Sequence, residues 1–103
     1  MTTSPTSLDR TLHAIADPTR RRILGALKQS SAAPAGAAAP GKHGLCAGDI
    51  EERVRLSQPT ISHHMAILTK AGLVDAVKHG QWRWYSRNEK ALRRLVKGLR
   101  AQL

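Results

Sequence analysis

The chain has 103 residues, enough for one domain with one modest core and not for two. Seventeen Lys and Arg against seven Asp and Glu leave a net charge of +10, which points to a polyanionic partner; the blander alternative is an inert basic surface. The single cysteine excludes an intramolecular disulfide, and no run approaches the roughly 20 apolar residues of a membrane span.

The opening MTTSPTS has neither a basic start nor an apolar stretch, so no secretory signal is read there. Residues 1–6 are expected to be disordered and the protein cytoplasmic. From Leu8 onward, Leu8, Leu12 and Ile15 recur at i, i+4 and i+7, which predicts a helix over about 8–16. Asp17-Pro18 ends it and starts another, with Asp as N-cap and Pro in the first turn. This second helix, PTRRRILGALKQ, offers Ile23, Leu24 and Leu27 to a core. Arg20, Arg21 and Arg22 have the composition of a DNA-binding patch. Consecutive helical residues point in different directions, however, which favours a solvated face.

Residues 30–44, SSAAPAGAAAPGKHG, hold two Pro, three Gly and no large apolar side chain, and read as a flexible insertion. A short helix over about 48–55 follows, with Ile50 and Val54 one turn apart. Ser57 then suits the N-cap of QPTISHHMAILTKA, and Gly72 its stop. Ile61, Met65 and Leu68 make the inner stripe of that helix. Pro59, His63 and Lys70 fall on the opposite face, flanked by Thr60 and Ser62. Two helices joined by a tight turn, the second with a small polar outer face, make a helix-turn-helix pattern.

The period then changes. LVDAVKHGQWRWYSR predicts strands near 73–78 and 81–86 around a turn at His79-Gly80, with Lys78, His79 and Arg83 near the tip. Trp82 and Trp84 share one face, Arg83 and Tyr85 the other. With no Phe in the chain, these three aromatics are all there are, so the core must be largely aliphatic. In the final helix Leu92, Leu95, Val96, Leu99 and Leu103 oppose Lys90, Arg93, Arg94, Lys97 and Arg100. The stripes of the first and last helices suit pairing with a second copy, giving a dimer interface of Leu8, Leu12, Ile15, Leu92, Leu95, Val96 and Leu99. The alternative is that both stripes pack within one domain.

The fold class is therefore mostly α with a small β-hairpin: four helices, the hairpin, and a fifth helix. The motifs AIADPTRRRIL, LSQPTISHHMAILTKAGLV and GQWRWYS, in that order, resemble the ArsR/SmtB family of winged-helix transcription regulators from about Leu8 to the last helix, the 30–44 insertion apart. The resemblance implies a homodimer through the first and last helices. It also places the SQPTISHH helix in the major groove and the hairpin as a wing along the backbone. The candidate DNA-binding residues are Ser57, Gln58, Pro59, Thr60, Ser62, His63, His64 and Lys70 on the helix and Lys78, His79 and Arg83 on the wing. Gln pairs bidentately with adenine and Ser or Thr with several partners, while wing cations suit phosphates. His64 lies beside the inner stripe and is expected to be partly packed, its ring within reach of a phosphate. His63 and His64 point about 100° apart, which disfavours a shared metal ion.

Cys46 raises a separate question. Many members of the family carry a Cys-x-Cys pair at this place, but Gly48 stands where the second thiol would be. A second metal site of the family lies on the last helix, which here has only Glu89 and no His. The segment CAGDI is more similar to the non-metal, SdpR-type autorepressor members, with Ala47 and Gly48 letting the chain enter a helix and Asp49 in its first turn. Three readings stay open: a small half-buried structural thiol, a thiol switch helped by His43, and a metal site using His43 and Cys46 with further ligands.

The expected function is that of a homodimeric, sequence-specific DNA-binding regulator, a repressor on a pseudo-palindromic operator, with no cofactor and an effector left open. The alternatives are a metal- or redox-responsive sensor in the same scaffold and a non-specific basic nucleic-acid-binding module. No carboxylate pair, assembled nucleophile or phosphate-cradling Gly loop supports an enzyme.

Overall fold

The computed structural model describes residues 7–29 and 44–103; the expectations for residues 1–6, for the 30–43 stretch and for His43 lie outside these residues. The elements are α1 (Ser7–Ile15), α2 (Pro18–Gln29), β1 (Leu45–Cys46), α3 (Ala47–Val54), α4 (Gln58–Lys70), β2 (Val74–His79), β3 (Trp82–Arg87) and α5 (Glu89–Gln102). The helices match the predicted set to within a residue or so, and both wing strands start one residue later than expected.

The hairpin is part of a larger sheet. β1 adds to its edge, giving the antiparallel order β1-β3-β2 with Leu45 opposite Tyr85 and Cys46 opposite Trp84. Two residues of strand were invisible to pattern reading because a strand so short has no period. Gly44, counted in the flexible insertion, is buried instead. Its φ is +143°, and a Cβ on it would collide with the Tyr85 carbonyl oxygen, so the chain can reach β1 only with glycine here.

Cross-strand partners share a face, so Leu45, Val74 and Tyr85 line one side of the sheet and are all buried, while Trp82, Trp84, Val77 and Cys46 line the other. The core cluster joins them to Ile23, Leu24 and Leu27 of α2, Ile50 and Val54 of α3, Ile61, Met65 and Leu68 of α4, Leu73, and Leu95 of α5. Tyr85 is its sole aromatic residue, and Trp82 stays 55% exposed. In α1 the fully inward positions are Thr11 and Ala14, which leaves Leu8, Leu12 and Ile15 half-buried. The Thr11 hydroxyl is satisfied by the carbonyls of Ser7 and Leu8.

The arginine triplet divides: Arg21 and Arg22 are exposed on the solvated face that the sequence suggested, while Arg20 turns inward. Arg20 is buried, and its guanidinium donates to the carbonyls of Ala14 and His13 at the end of α1. Arg21 donates to Ile15 of the same helix end, and Arg22 to Val54, the last residue of α3. Helix C-termini present carbonyls without intrahelical partners and a partial negative charge. Because the three residues diverge, as the 100° rule requires, one arginine run reaches two helix ends.

Asn88 caps α5, accepting from the Ala91 N–H at 3.0 Å, and its own N–H donates to the Leu73 carbonyl at 2.9 Å. This ties the end of the wing to its beginning. Gly44→Ala is expected to lower stability by about 1–3 kcal/mol through backbone strain alone. Gly48→Ala, whose new Cβ meets nothing within 4 Å on an exposed helical turn, should stabilise. Thermal unfolding of the pair checks the opposite signs.

Candidate nucleic-acid interface

α3 stops because Arg55 adopts the left-handed conformation, φ 57° and ψ 50°, with its N–H returned to the Glu51 carbonyl. Only Arg55, Leu56 and Ser57 separate α3 from α4, the tight turn of a helix-turn-helix. Ser57 takes the extended N-cap conformation, and Pro59 follows in the first turn, where its missing N–H costs nothing. The Ser57 hydroxyl lies 3.0 Å from that of Thr60, so these two hydroxyls are partly engaged with each other.

Ile61, Met65 and Leu68 are each at most 1% exposed, and this burial fixes the roll of α4. Gln58, Pro59, Ser62, His63 and Lys70 are consequently exposed, and Thr60 is half-buried at the flank. Lys70 is at the far end of the helix, about 18 Å from Gln58 at 1.5 Å per residue. There it borders a groove with Asp9, Arg10 and His13 of α1, away from the polar N-terminal cluster.

The wing stands beside this helix. Lys78 and Arg83 are direct cross-strand partners and both are exposed. Like charges directly opposite one another repel, an arrangement that an anion between them would relieve. Arg83 also lines a cleft of roughly 300 Å³ with Ser62, Ala66, Thr69 and Lys70, so the wing cation faces the flank of α4. His79 pairs with Trp82 through the strand register at the tip.

His64 departs from the exposed set. It is half-buried, and its Nδ1 lies 3.3 Å from an Arg20 terminal nitrogen. A guanidinium can only donate, so Nδ1 accepts and the ring is neutral with its proton on Nε2. Burial lowers the pKa of His64; Asp17 acts against this, while the positive charges of Arg20 and His63 add to it. Asp17 is the N-cap of α2: one carboxylate oxygen accepts from the Thr19 N–H at 2.6 Å and the Arg20 N–H at 3.3 Å, the other lies 3.6 Å from Arg20. Partial burial raises the pKa of this carboxyl, but those two N–H bonds and the charges of Arg20 and His64 outweigh it and hold it below the usual range. Arg20 was not read from the sequence as a partner of His64. The available signal was an Asp N-cap with Arg three residues on, which has no reach across 44 positions.

Cys46 is the N-cap of α3. Its thiol donates to Asp49 Oδ2 at 3.1 Å, and its N–H approaches the same oxygen at 3.4 Å. Burial pushes the thiol pKa up, and the Asp49 charge and the thiol–carboxylate bond add to this against the main-chain N–H groups. A thiol held protonated as a donor is a poor nucleophile and a poor ligand. Among the described residues no three His, Cys, Asp or Glu side chains come together as a metal-binding group. Among them, too, no helix is long and apolar enough to cross a membrane.

Five helices, a three-stranded antiparallel sheet, and an exposed polar helix flanked by a basic hairpin define a winged helix-turn-helix DNA-binding protein. Comparison with known proteins agrees. A family profile described as "Helix-turn-helix domain" matches residues 15–77. The transcriptional repressor SdpR of Bacillus subtilis is 36% identical over 85 residues, covering 82% of this chain and 80% of its own. An arsenical resistance operon repressor of Staphylococcus aureus is 42% identical over 55 residues, 53% of each chain. Among solved structures, an ArsR-like transcriptional regulator from Rhodococcus sp. RHA1 superposes with a TM-score of 0.71 at 25% identity, over 92% of this chain and 77% of that one. The chain belongs to the ArsR/SmtB family of winged-helix transcription regulators.

Two chemical predictions follow from the geometry. Cys46 should react with iodoacetamide at neutral pH more slowly than a free cysteine thiol, and Asp49→Ala should speed it. Acid should weaken the fold in two steps. His64 has a folded pKa below its unfolded one, so its contribution is complete above about pH 6.5 and is lost as pH falls beneath that. Asp17, likewise depressed, contributes above about pH 3.9 and loses its share as pH falls through its folded value. Denaturant unfolding across pH checks this, with Asp17→Asn expected to remove the lower step and, by withdrawing the charge that favours the imidazolium, to deepen the upper one.

Proposed function

We propose that this protein is a homodimeric repressor that occupies a pseudo-palindromic operator, with α4 in the major groove and β2–β3 along the adjacent backbone. The observation that carries the reading is the exposed N-terminal cluster Gln58, Ser62 and His63 beside the unrelieved Lys78–Arg83 pair, in a chain of net charge +10. Gln58 and Ser62 have the donors and acceptors to read base edges, and His63 adds a donor on the same face. Lys78, His79 and Arg83 would position the duplex without specifying sequence, and Lys70 would meet phosphate further along. Pro59 and the Ser57–Thr60 hydroxyl pair would shape the approach of the helix. His64 would act from behind.

The dimer reading rests on the apolar faces left uncovered. Leu8, Leu12 and Ile15 of α1 and Leu92 and Leu99 of α5 are only half-buried, while Val96 is 60% exposed. Leu103 adds to the same stripe. Leu95, placed in the interface by its spacing, is 5% exposed and belongs to the protomer's own core, so its share in pairing would be indirect. A two-fold dimer of this kind reads half-sites about 34–36 Å apart, one helical turn.

Selection of bound sequences from random DNA by the purified protein tests the reading. A palindromic consensus supports it, and equal affinity for consensus and random DNA at matched salt would overturn it. Gln58→Ala should cost about 1–3 kcal/mol on the consensus and relax preference at one position. Arg83→Ala should instead weaken all sequences alike and reduce the salt slope by about one. Val96→Glu should shift the species in sedimentation from dimer to monomer.

A further inference from the structure

Among the described residues Arg20 is the one basic side chain that is buried, at 6% exposed. Its guanidinium meets three elements at once. Towards α1, Nε donates to the Ala14 carbonyl at 2.5 Å and a terminal nitrogen to that of His13 at 3.2 Å. Within α2, its other terminal nitrogen lies 3.6 Å from the N-cap carboxylate of Asp17. That same nitrogen is 3.3 Å from Nδ1 of His64, near the middle of α4. The apolar stripe of α4 sets the helix's roll, but hydrophobic contact is non-directional and tolerates small slides. A hydrogen bond from a fixed guanidinium does not.

We propose that Arg20 is a positioning residue for operator readout: one buried guanidinium locks α4 to the end of α1 through His64, and so sets the spacing at which a dimer presents its two recognition helices. The inference rests on the reading of α4 as the base-contacting helix and α1 as part of the dimer contact. It also makes the lock sensitive to protons. Protonating His64 puts an N–H on Nδ1, facing the guanidinium, and the contact is lost to repulsion. The groups around that ring are Asp17 and Arg20 from α2 and His63 from α4 itself. α1 meets the cluster through the main-chain carbonyls of His13 and Ala14. Of these, only Asp17 favours the charged ring. Acidification also makes the whole protein more positive and strengthens binding to any DNA. The informative quantity is therefore the ratio of operator to random-DNA affinity at matched salt.

The test uses the full chain, the operator it selects from a random pool, and random duplex of equal length. For the unaltered protein the ratio should fall as pH is lowered from about 8 to about 5. In His64→Asn, whose Oδ1 keeps an acceptor at the Nδ1 position but does not titrate, the ratio should stay flat. Arg20→Lys keeps the charge but cannot span the same partners. Its ratio should be about tenfold lower at about pH 8, the size expected of a residue that acts on a site without touching it, and should meet that of the unaltered protein near about pH 5, with random-DNA affinity unchanged. Operators with half-sites moved apart by a base pair should then be tolerated better. The proposal is overturned if the unaltered ratio is flat, if His64→Asn titrates like the parent, or if Arg20→Lys weakens operator and random DNA equally. Should Arg20→Lys fail to fold, the His64→Asn profile decides. If no operator is selected at about pH 8, the DNA-readout assignment itself fails and this role falls with it.

Discussion

Ile61, Met65 and Leu68 lie at 1% exposure or less in one cluster with Ile23, Ile50, Leu73 and Tyr85, and the burial of this stripe is what the rest of the molecule is arranged around. Each such side chain contributes about 1.5–3 kcal/mol when removed from water, so the roll of α4 is strongly held. Everything on the opposite side follows. Gln58, Ser62 and His63 are outward because the three apolar residues are inward, and the Ser62 flank faces the wing while the His64 flank faces α2. Rotating the helix by one residue would turn Ser62, Ala66 and Thr69, or Thr60, His64 and Ile67, inward in place of that stripe.

The basic residues then divide by what they satisfy. Arg20, Arg21 and Arg22 bond to carbonyls at the ends of α1 and α3. Arg87 donates to the Leu24 carbonyl and pairs with Glu89, its Nε 2.8 Å from the carboxylate. Lys78 and Arg83 face each other across the strands, two exposed like charges, with Arg83 at the edge of a cleft. A net charge of +10 thus overstates the nucleic-acid footprint, because part of it holds helix ends in place. The two uses are physically distinct: one is partly desolvated and directional, the other solvated and waiting for a counter-charge.

The same economy appears at β1. Leu45 fills the core, Cys46 caps α3 with its thiol turned to Asp49, and Gly44 supplies the one backbone shape that passes Tyr85. The bond from the thiol to Asp49 and its raised pKa suit the structural reading of Cys46, while the two readings that use His43 lie outside the described residues. The third strand also gives the wing a root. β3 is held on both sides at Trp84 and Tyr85, while the tip beyond them is paired on one side.

Periodicity in the sequence by itself determined the five helices, the hairpin, the inner stripe of α4 and the polar face opposite, because these are properties of residues close along the chain. The resemblance of its motifs to the ArsR/SmtB family added the regulator's function and the helix expected to meet DNA. What the sequence left undecided were contacts between residues far apart. The approach of Arg20 to His64, the pairing of Leu45 with Tyr85, and the burial of Leu95 but exposure of Val96 have no signature in spacing. A run of three arginines looks the same whether it meets only solvent or also four carbonyls at helix ends. Only the tertiary structure decided that those carbonyls, left unpaired at helix ends, lie within reach, and there the directional chemistry of the guanidinium fixed its place.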